Sequence, residues 1–151
     1  MTHVSFYQLD GAPIDRVLPK LLEKAYTTGK KSLILSPSLP RIDHLDDALW
    51  TYDPETFLPH GLSTEAKPSE QPILLSTTEF IDVTIPYAFL LDGAQLEDVT
   101  RYERVFVLFD GNNADLLQGA RILWRSYKEH NHKLDYYTHT ADKGWTKTAS
   151  S

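Results

Sequence analysis

Side chains able to bind an anionic partner recur at helical spacing near the end of the sequence: Arg121, Trp124, Arg125 and Lys128. A helix would place them on one face, with an indole among three positive charges. Guanidinium groups pair with carboxylates, and an indole beside them can receive an apolar side chain or a terminal carboxyl group. This face suits an acidic peptide with an apolar end. An alternative stays open, in which Trp124 belongs to the core and the cations only solvate an amphipathic helix.

A second stretch, "LWTYDPETFLPHG" (Leu49–Gly61), carries large apolar residues between a helix-like segment and a polar linker. One interpretation makes Trp50, Phe57 and Leu58 a surface for a partner protein. Another makes His60 the start of an active site. A catalytic histidine needs a nucleophile and an orienting carboxylate, and the sequence has no Gly-x-Ser-x-Gly elbow, so a positional role near a turn is favoured for His60.

Other motifs that suggest chemistry are incomplete. "TTGKKS" lacks the spacing of a phosphate-binding loop and follows a helix, so Gly29 is predicted to cap that helix. Asp110 ends a strand as a magnesium-assisting aspartate would, but without a phosphate loop it has no partner chemistry. The six histidines show no zinc spacing, and the absence of cysteine excludes thiolate ligands and thiol nucleophiles. We therefore expect no catalytic residue, no metal and no cofactor.

The composition indicates one soluble globular domain. Of the 151 residues 41% are hydrophobic and 24% charged. No apolar run approaches the roughly 20 residues needed to cross a bilayer. The first residues show no secretion signal, so we expect a cytoplasmic protein without a membrane partner. The formal net charge of −6 argues against general nucleic-acid binding, which depends on lysine and arginine at phosphates.

The pattern of apolar residues predicts an α/β fold with a mainly parallel central sheet flanked by helices. A strand at His3–Leu9 is followed by a helix through "RVLPKLLEKAYTTG", and the aliphatic run "KSLILS" completes a β-α-β unit, which favours a parallel pair. "PSLPRIDHLDDALW" predicts a second helix with Ile42, Leu45 and Leu49 on its inner side and Trp50 as a further candidate for that side.

The rest of the chain continues this pattern. Gly61–Gln71 is polar and predicts a surface loop, whereas "PILLST", "YAFLLD" and "RVFVLFD" predict three strands. "ADLLQGARILWRSYKEHNH" predicts a long helix with a broad apolar face, and "KLDYYTH" a final strand. We assign residues 1–145 to one domain and expect residues 146–151 to be a frayed tail.

Six blocks distributed over nearly the whole chain form a recognisable order: "FYQLD", "LPKLLEKAYTTGKKSLIL", "LDDALWTYDPETFLPHG", "QPILL", "VFVLFDG" and "ARILWRSYK". Taken together they resemble the chi subunit family of the bacterial DNA polymerase III holoenzyme. The blocks "LDxxLW…FLPHG" and "FDG…ARxxW" are the most specific, whereas the others are common in α/β domains.

The resemblance implies a single-domain, nucleotide-binding-like α/β fold without a nucleotide site, and a non-enzymatic adaptor of the replication machinery. Members of the family join the psi subunit, and through it the clamp loader, to the acidic C-terminal tail of single-stranded DNA-binding protein. Nucleic acid is then a partner only indirectly. By matching motif positions, the resemblance assigns tail binding to Arg121, Trp124, Arg125 and Lys128. It assigns the surface facing psi, or an equivalent clamp-loader component, to Trp50, Phe57, Leu58 and Pro59.

Two questions are left to the structure. Asp110 precedes the tail-binding helix, where its carboxylate would oppose an acidic ligand unless it points away or caps the helix. A small nucleotide-binding protein or enzyme would instead use the C-terminal edge of the parallel sheet, although the strand-to-helix turns carry no glycine-rich phosphate cradle.

Overall fold

A computed structural model describes residues 2–10, 13–51, 60–62, 72–79, 85–140 and 144–150. Within these residues the strands form one eight-stranded sheet in the order β3-β4-β2-β5-β6-β1-β7-β8. The strands are β1 (His3–Leu9), β2 (Ser32–Leu35), β3 (Gly61–Leu62), β4 (Ile73–Ser76), β5 (Tyr87–Leu91), β6 (Arg104–Asp110), β7 (Lys133–Thr140) and β8 (Gly144–Ser150). The α-helices are α1 (Ile14–Thr27), α2 (Leu39–Thr51) and α3 (Ala114–Glu129). The predicted α/β class, with a mostly parallel sheet flanked by helices, is confirmed.

Strand direction agrees with the sequence pattern, but the expected pairing of β1 with β2 is wrong. Both strands are parallel, yet β5 and β6 lie between them. β6 pairs with all seven residues of β1, from His3↔Arg104 to Leu9↔Asp110, whereas β2 has only four residues and pairs with β4 and β5. Periodicity predicts that a strand forms and which way it faces, but not which strand lies beside it.

Two apolar layers cover opposite faces of the sheet. Helices α1 and α2 pack on the face that carries Tyr7 and Leu9 of β1, and Ile42, Leu45 and Leu49 are buried there as the pattern predicted. Helix α3 packs on the other face, over Phe6 and its neighbours. At the end of α1, Gly29 adopts a φ of +77° and its N–H donates to the Tyr26 carbonyl (3.0 Å), which is the predicted cap.

The C-terminal residues differ from the expectation of a frayed tail after residue 145. Gly144–Ser150 forms β8, which pairs antiparallel with β7, so "KLDYYTH" is not the last strand. Trp145 packs edge-on against Tyr7, with ring centroids 5.0 Å apart, and threonines at alternate positions favour an extended backbone. These long-range contacts hold a segment whose own composition is polar.

An ion-pair cluster also fastens β8 to the sheet. The Asp135 carboxylate is buried and lies 2.9 Å from Lys147 Nζ and 2.6 Å from His3 Nε2. Burial alone would raise the pKa of Asp135, but the hydrogen bonds from Lys147 and His3 outweigh it, and the pKa is lowered. The cluster therefore links β1, β7 and β8 through one charged side chain.

The polar segment Gly61–Gln71 is also not entirely loop. Gly61–Leu62 forms the short strand β3, which pairs in parallel with Leu74 and Leu75 of β4. Residues 63–71 lie outside the described part of the chain. Two residues are too few to produce a readable alternation, so the pairing was not visible in the sequence.

Candidate functional site

Helix α3 is held in a defined rotation on the sheet. Its N-cap, Asn113, accepts hydrogen bonds through its side-chain oxygen from the N–H groups of Asp115 and Leu116, both at 3.1 Å. Asp115 places a negative charge in the first turn, where the helix dipole favours it. Ala120 is buried and apolar residues on the same side pack against β1 and β6. Arg121 and Arg125 are exposed on the flank of the helix next to this apolar side.

Trp124 lies at the boundary between the core and solvent. Its indole contacts Phe6 at 5.5 Å and Tyr136 at 5.8 Å, both in edge-to-face geometry, and it is only partly exposed. The ring thus packs on the sheet, as the core interpretation predicts, and still presents surface outward; peptide binding by Trp124 stays a prediction. The contacts also limit its rotation.

Arg121, Trp124 and Arg125 line one open cleft of about 530 Å³ between α3 and the strands β1, β7 and β8. Its other lining residues are Gln8, Tyr136, Thr138, Thr148 and Ala149. Helix α3 packs over β6, β1 and β7, and the cleft lies along its outer flank, where the exposed strand β8 continues the same face of the sheet. None of its lining side chains is a carboxylate, and two are guanidinium groups. It can receive an anionic group beside an aromatic wall.

The floor of the cleft is a fixed polar network. The Tyr136 hydroxyl donates to Gln8 Oε1, and Gln8 Nε2 donates to Asp10 Oδ1 at 3.0 Å. Burial raises the pKa of the Tyr136 phenol, while the positive charge of Arg121 lowers it and Asp10 raises it. Gly111 permits this packing, because a Cβ there would meet Gln8 Cγ at 2.7 Å and the Asp10 carboxylate still more closely. The glycine of the "FDG" block therefore leaves the space that the Gln8 and Asp10 side chains occupy at the floor of the cleft.

Asp110 lies away from this cleft. Its carboxylate accepts from Asn112 N–H at 2.9 Å, so it stabilises the turn before α3, whereas Asn113 caps the helix. Asp110 lines a different cavity, of about 280 Å³, at the C-terminal edge of the sheet. There the Arg41 guanidinium pairs with both oxygens of Asp92, at 3.0 and 3.2 Å. Two carboxylates and an already paired arginine make that edge less suited to a phosphate than the α3 cleft is.

Comparison with known proteins decides the family. The family described as "DNA polymerase III chi subunit, HolC" matches residues 1–135 of the chain. The chain belongs to this family. It is similar to the "Probable DNA polymerase III subunit chi" of Rickettsia prowazekii, with 26% identity over 155 aligned positions that cover 99% of this chain and 93% of the relative. It is also similar to the DNA polymerase III subunit chi of Haemophilus influenzae, with 35% identity over 63 residues, 42% of this chain and 44% of that protein.

Family membership makes the chain an accessory subunit type of DNA polymerase III, with a role in DNA replication. The resemblance stated from the sequence blocks is thereby confirmed. The described ranges hold no group of three or more histidine, aspartate or glutamate side chains placed to share a metal ion. No helix in those ranges is long and apolar enough to cross a membrane.

The other residues assigned through the resemblance to chi subunits are less fully described. Lys128 is exposed on α3, one turn beyond Arg125, and is not among the residues that line the cleft. Trp50 belongs to α2, but its side chain, together with Phe57, Leu58 and Pro59, falls outside the described residues.

His60, the alternative catalytic candidate, is buried. Its Nε2 atom lies 3.1 Å from Asp46 Oδ1, which ties the residue before β3 to helix α2. A histidine buried in this way is suited to holding two segments together. The geometry thus favours the positional role.

Five of the eight residues that line the cleft were not predicted from the sequence of this chi-family member. Gln8, Tyr136 and Thr138 lie on one face of the sheet because alternate residues of a strand point the same way. The sequence shows this alternation within β1 and within β7, but it does not show that the two strands are neighbours. Thr148 and Ala149 were missed because their segment was expected to fray.

Proposed function

We propose that this protein is a non-catalytic, cytoplasmic adaptor of the DNA polymerase III holoenzyme. It links the clamp loader, through a psi-type subunit or an equivalent component, to the acidic C-terminal tail of single-stranded DNA-binding protein. The observation that carries the proposal is the cleft in which Arg121, Trp124 and Arg125 converge. Family membership supplies the replication context.

The chemistry of the cleft matches a peptide terminus. The guanidinium groups of Arg121 and Arg125 would receive the terminal carboxylate and the acidic side chains before it. The apolar last side chain would lie against the indole of Trp124 and the ring of Tyr136. The cleft volume, about 530 Å³, falls in the range of pockets that hold small ligands, roughly 300–1,000 Å³. The few terminal residues of the tail would fill it.

The second surface is assigned from the resemblance, to Trp50, Phe57, Leu58 and Pro59. Helix α2, which carries Trp50, lies on the sheet face opposite α3. A partner held beside α2 would leave the α3 cleft accessible, as an adaptor with two simultaneous partners requires. Single-stranded DNA would then be reached only through its binding protein, which is consistent with a formal net charge of −6.

Fluorescence anisotropy with a labelled tail peptide tests the first surface. We expect binding that weakens as salt rises, because exposed charge pairs are screened. Full-length single-stranded DNA-binding protein should bind, and the same protein without its tail should not. Equal binding of both forms would contradict the proposal.

The Phe57→Ala variant tests the second surface. It should lose the clamp-loader-side partner in a pull-down while keeping its affinity for the tail peptide. Retention of the clamp-loader-side partner by a variant that still binds the tail would remove Phe57 from that surface. Loss of both partners, with a changed circular dichroism spectrum, would instead indicate unfolding.

A further inference from the structure

The geometry points to a second element of tail recognition, which rests on the function proposed above: the acidic segment preceding the bound terminus pairs with the outer edge of β8 and extends the sheet by one strand. Main-chain hydrogen bonds to a sheet edge would then supplement the capture of the terminus in the cleft. The cleft selects the end of the peptide, and the edge strand binds the residues before it.

β8 is the outermost strand on this side of the sheet. It pairs with β7 from Thr140↔Gly144 to Asp135↔Ser150, and no strand in the described ranges pairs with its other side. An edge strand presents N–H and C=O groups that can pair with another chain. Its described side chains, from Trp145 to Ala149, are exposed. The edge is therefore accessible to an extended peptide.

The edge and the cleft are continuous. Opposite Tyr136 stands Ala149 and opposite Tyr137 stands Lys147, so Thr148 is the extra residue of a β-bulge. Because of this bulge two consecutive residues, Thr148 and Ala149, line the cleft. The Thr148 hydroxyl donates to the main-chain oxygen of Tyr136 at 3.3 Å, which holds the bulge in place. A peptide whose end lies beside Trp124 can leave the cleft across these residues and meets the edge of β8 directly.

Length also favours this path. A cleft of about 530 Å³ holds only the last residues of a peptide. The seven residues of β8 offer a further edge of about 23 Å at roughly 3.3 Å per residue. An extended acidic segment of about seven residues would fit along this edge.

Charge decides between an acidic peptide and a second copy of the chain. Arg121 and Arg125 line the cleft together with Thr148 and Ala149 of β8, and none of the lining side chains is a carboxylate. The ammonium group of Lys147 pairs with Asp135 on the opposite face of the sheet, so the positive charges on the cleft side of β8 are those of Arg121 and Arg125. An acidic peptide that passes from the cleft onto β8 stays close to these guanidinium groups, whereas two copies of the chain, each with a formal net charge of −6, repel one another. We therefore commit to the acidic peptide as the occupant.

Four peptides and the full chain test this by fluorescence anisotropy. The first contains only the terminal residues with a free carboxylate, and the second adds seven acidic-segment residues, the length of β8. The other two carry N-methyl groups on alternate amides of the added segment, one in each register. Alternate amides of a strand point to opposite sides, so only one register would face β8. The two methylated peptides have identical charge and control for electrostatic attraction.

We expect the extended peptide to bind about tenfold more tightly than the short one, as one or two net hydrogen bonds would give. Methylation in one register should return the affinity to that of the short peptide, and methylation in the other should leave the gain intact. Amide hydrogen exchange in residues 144–150 should slow with the extended peptide only.

Three results would overturn the inference. Equal affinity of the short and extended peptides, or a gain that survives methylation in both registers, would exclude strand addition while leaving the cleft as the tail site. A dimer in sedimentation that forms through β8 would show a second copy as the occupant. If even the short peptide fails to bind, the proposed function fails as well.

Discussion

Replacing Arg121 with glutamine removes one positive charge from the wall of the cleft while keeping a polar side chain of similar length. Arg121 is exposed on α3, so the substitution should change the free energy of unfolding by no more than about 0.5 kcal/mol. Arg121 also lies beside Tyr136 in the lining of the cleft. Burial raises the pKa of Tyr136, and the positive charge of Arg121 partly offsets that rise. A loss of peptide binding would therefore report on the site and not on folding.

The size of the loss follows from the position of the charge. At 4 Å two unit charges attract by about 1 kcal/mol in bulk water and about 4 kcal/mol at an effective dielectric constant near 20. An exposed guanidinium in an open cleft lies nearer the first limit, so we expect about 1–2 kcal/mol. This corresponds to an affinity roughly 5- to 30-fold weaker.

A double-mutant cycle measures the interaction free energy between Arg121 and the terminal carboxylate of the peptide. The tail peptide, with a free or an amidated terminus, is titrated by anisotropy against the unsubstituted protein and the Arg121→Gln variant. The two changes should be less than additive, because both remove the same charge pair. Arg16→Gln is the matched control, since Arg16 is exposed on α1 across the sheet and its loss should leave the affinity unchanged. Equal affinities for the Arg121 and Arg16 variants would refute the assignment of the cleft.

Two further predictions concern the cleft wall and the attachment of β8. Trp124→Ala should abolish tail binding and lower the free energy of unfolding in urea by about 1–3 kcal/mol. This is less than the roughly 3–5 kcal/mol expected for a fully buried ring, because the indole is partly exposed. Trp124→Phe should keep most of the stability. An unchanged tail affinity in Trp124→Ala would remove the indole from the site. Asp135 has a lowered pKa, so its stabilising effect is present above the ordinary aspartate value of 3.8 and is lost as the pH falls through the lower value of the folded state. Thermal unfolding should therefore show Asp135→Asn less stable than the unsubstituted protein at neutral pH, with a difference that shrinks below about pH 4. Asp43→Asn, on the exposed side of α2, is the control, and its stability at neutral pH should differ little from that of the unsubstituted protein. A difference independent of pH at Asp135 would contradict the ion-pair account.

Elements stabilised by local patterns were predictable from the sequence. Helix α3 has an apolar face at a regular period, so its existence and the common side of Arg121 and Trp124 could be predicted. The strands β4, β5 and β6 are short apolar runs between turn residues, and they too were recognisable. In each case the neighbours along the chain carry the signal.

Features that depend on long-range pairing were not predictable in the same way. β8 is polar and exposed, and its order comes from β7, from the Asp135 ion pair and from the contact of Trp145 with Tyr7. The separation of β1 from β2 likewise results from the pairing of β1 with β6, which is distant in the sequence. The cleft has parts of both kinds. Local periodicity predicts its helix wall, whereas its floor and outer wall depend on the order of the strands in the sheet.

The most direct test of the cleft as the tail-binding site is an NMR titration of the ¹⁵N-labelled protein with unlabelled tail peptide. We expect the indole N–H of Trp124 and the amides of residues 121–125, 136–138 and 148–149 to shift together, with a common dissociation constant. Saturable shifts confined to other parts of the protein, with the Trp124 indole unmoved, would contradict the account.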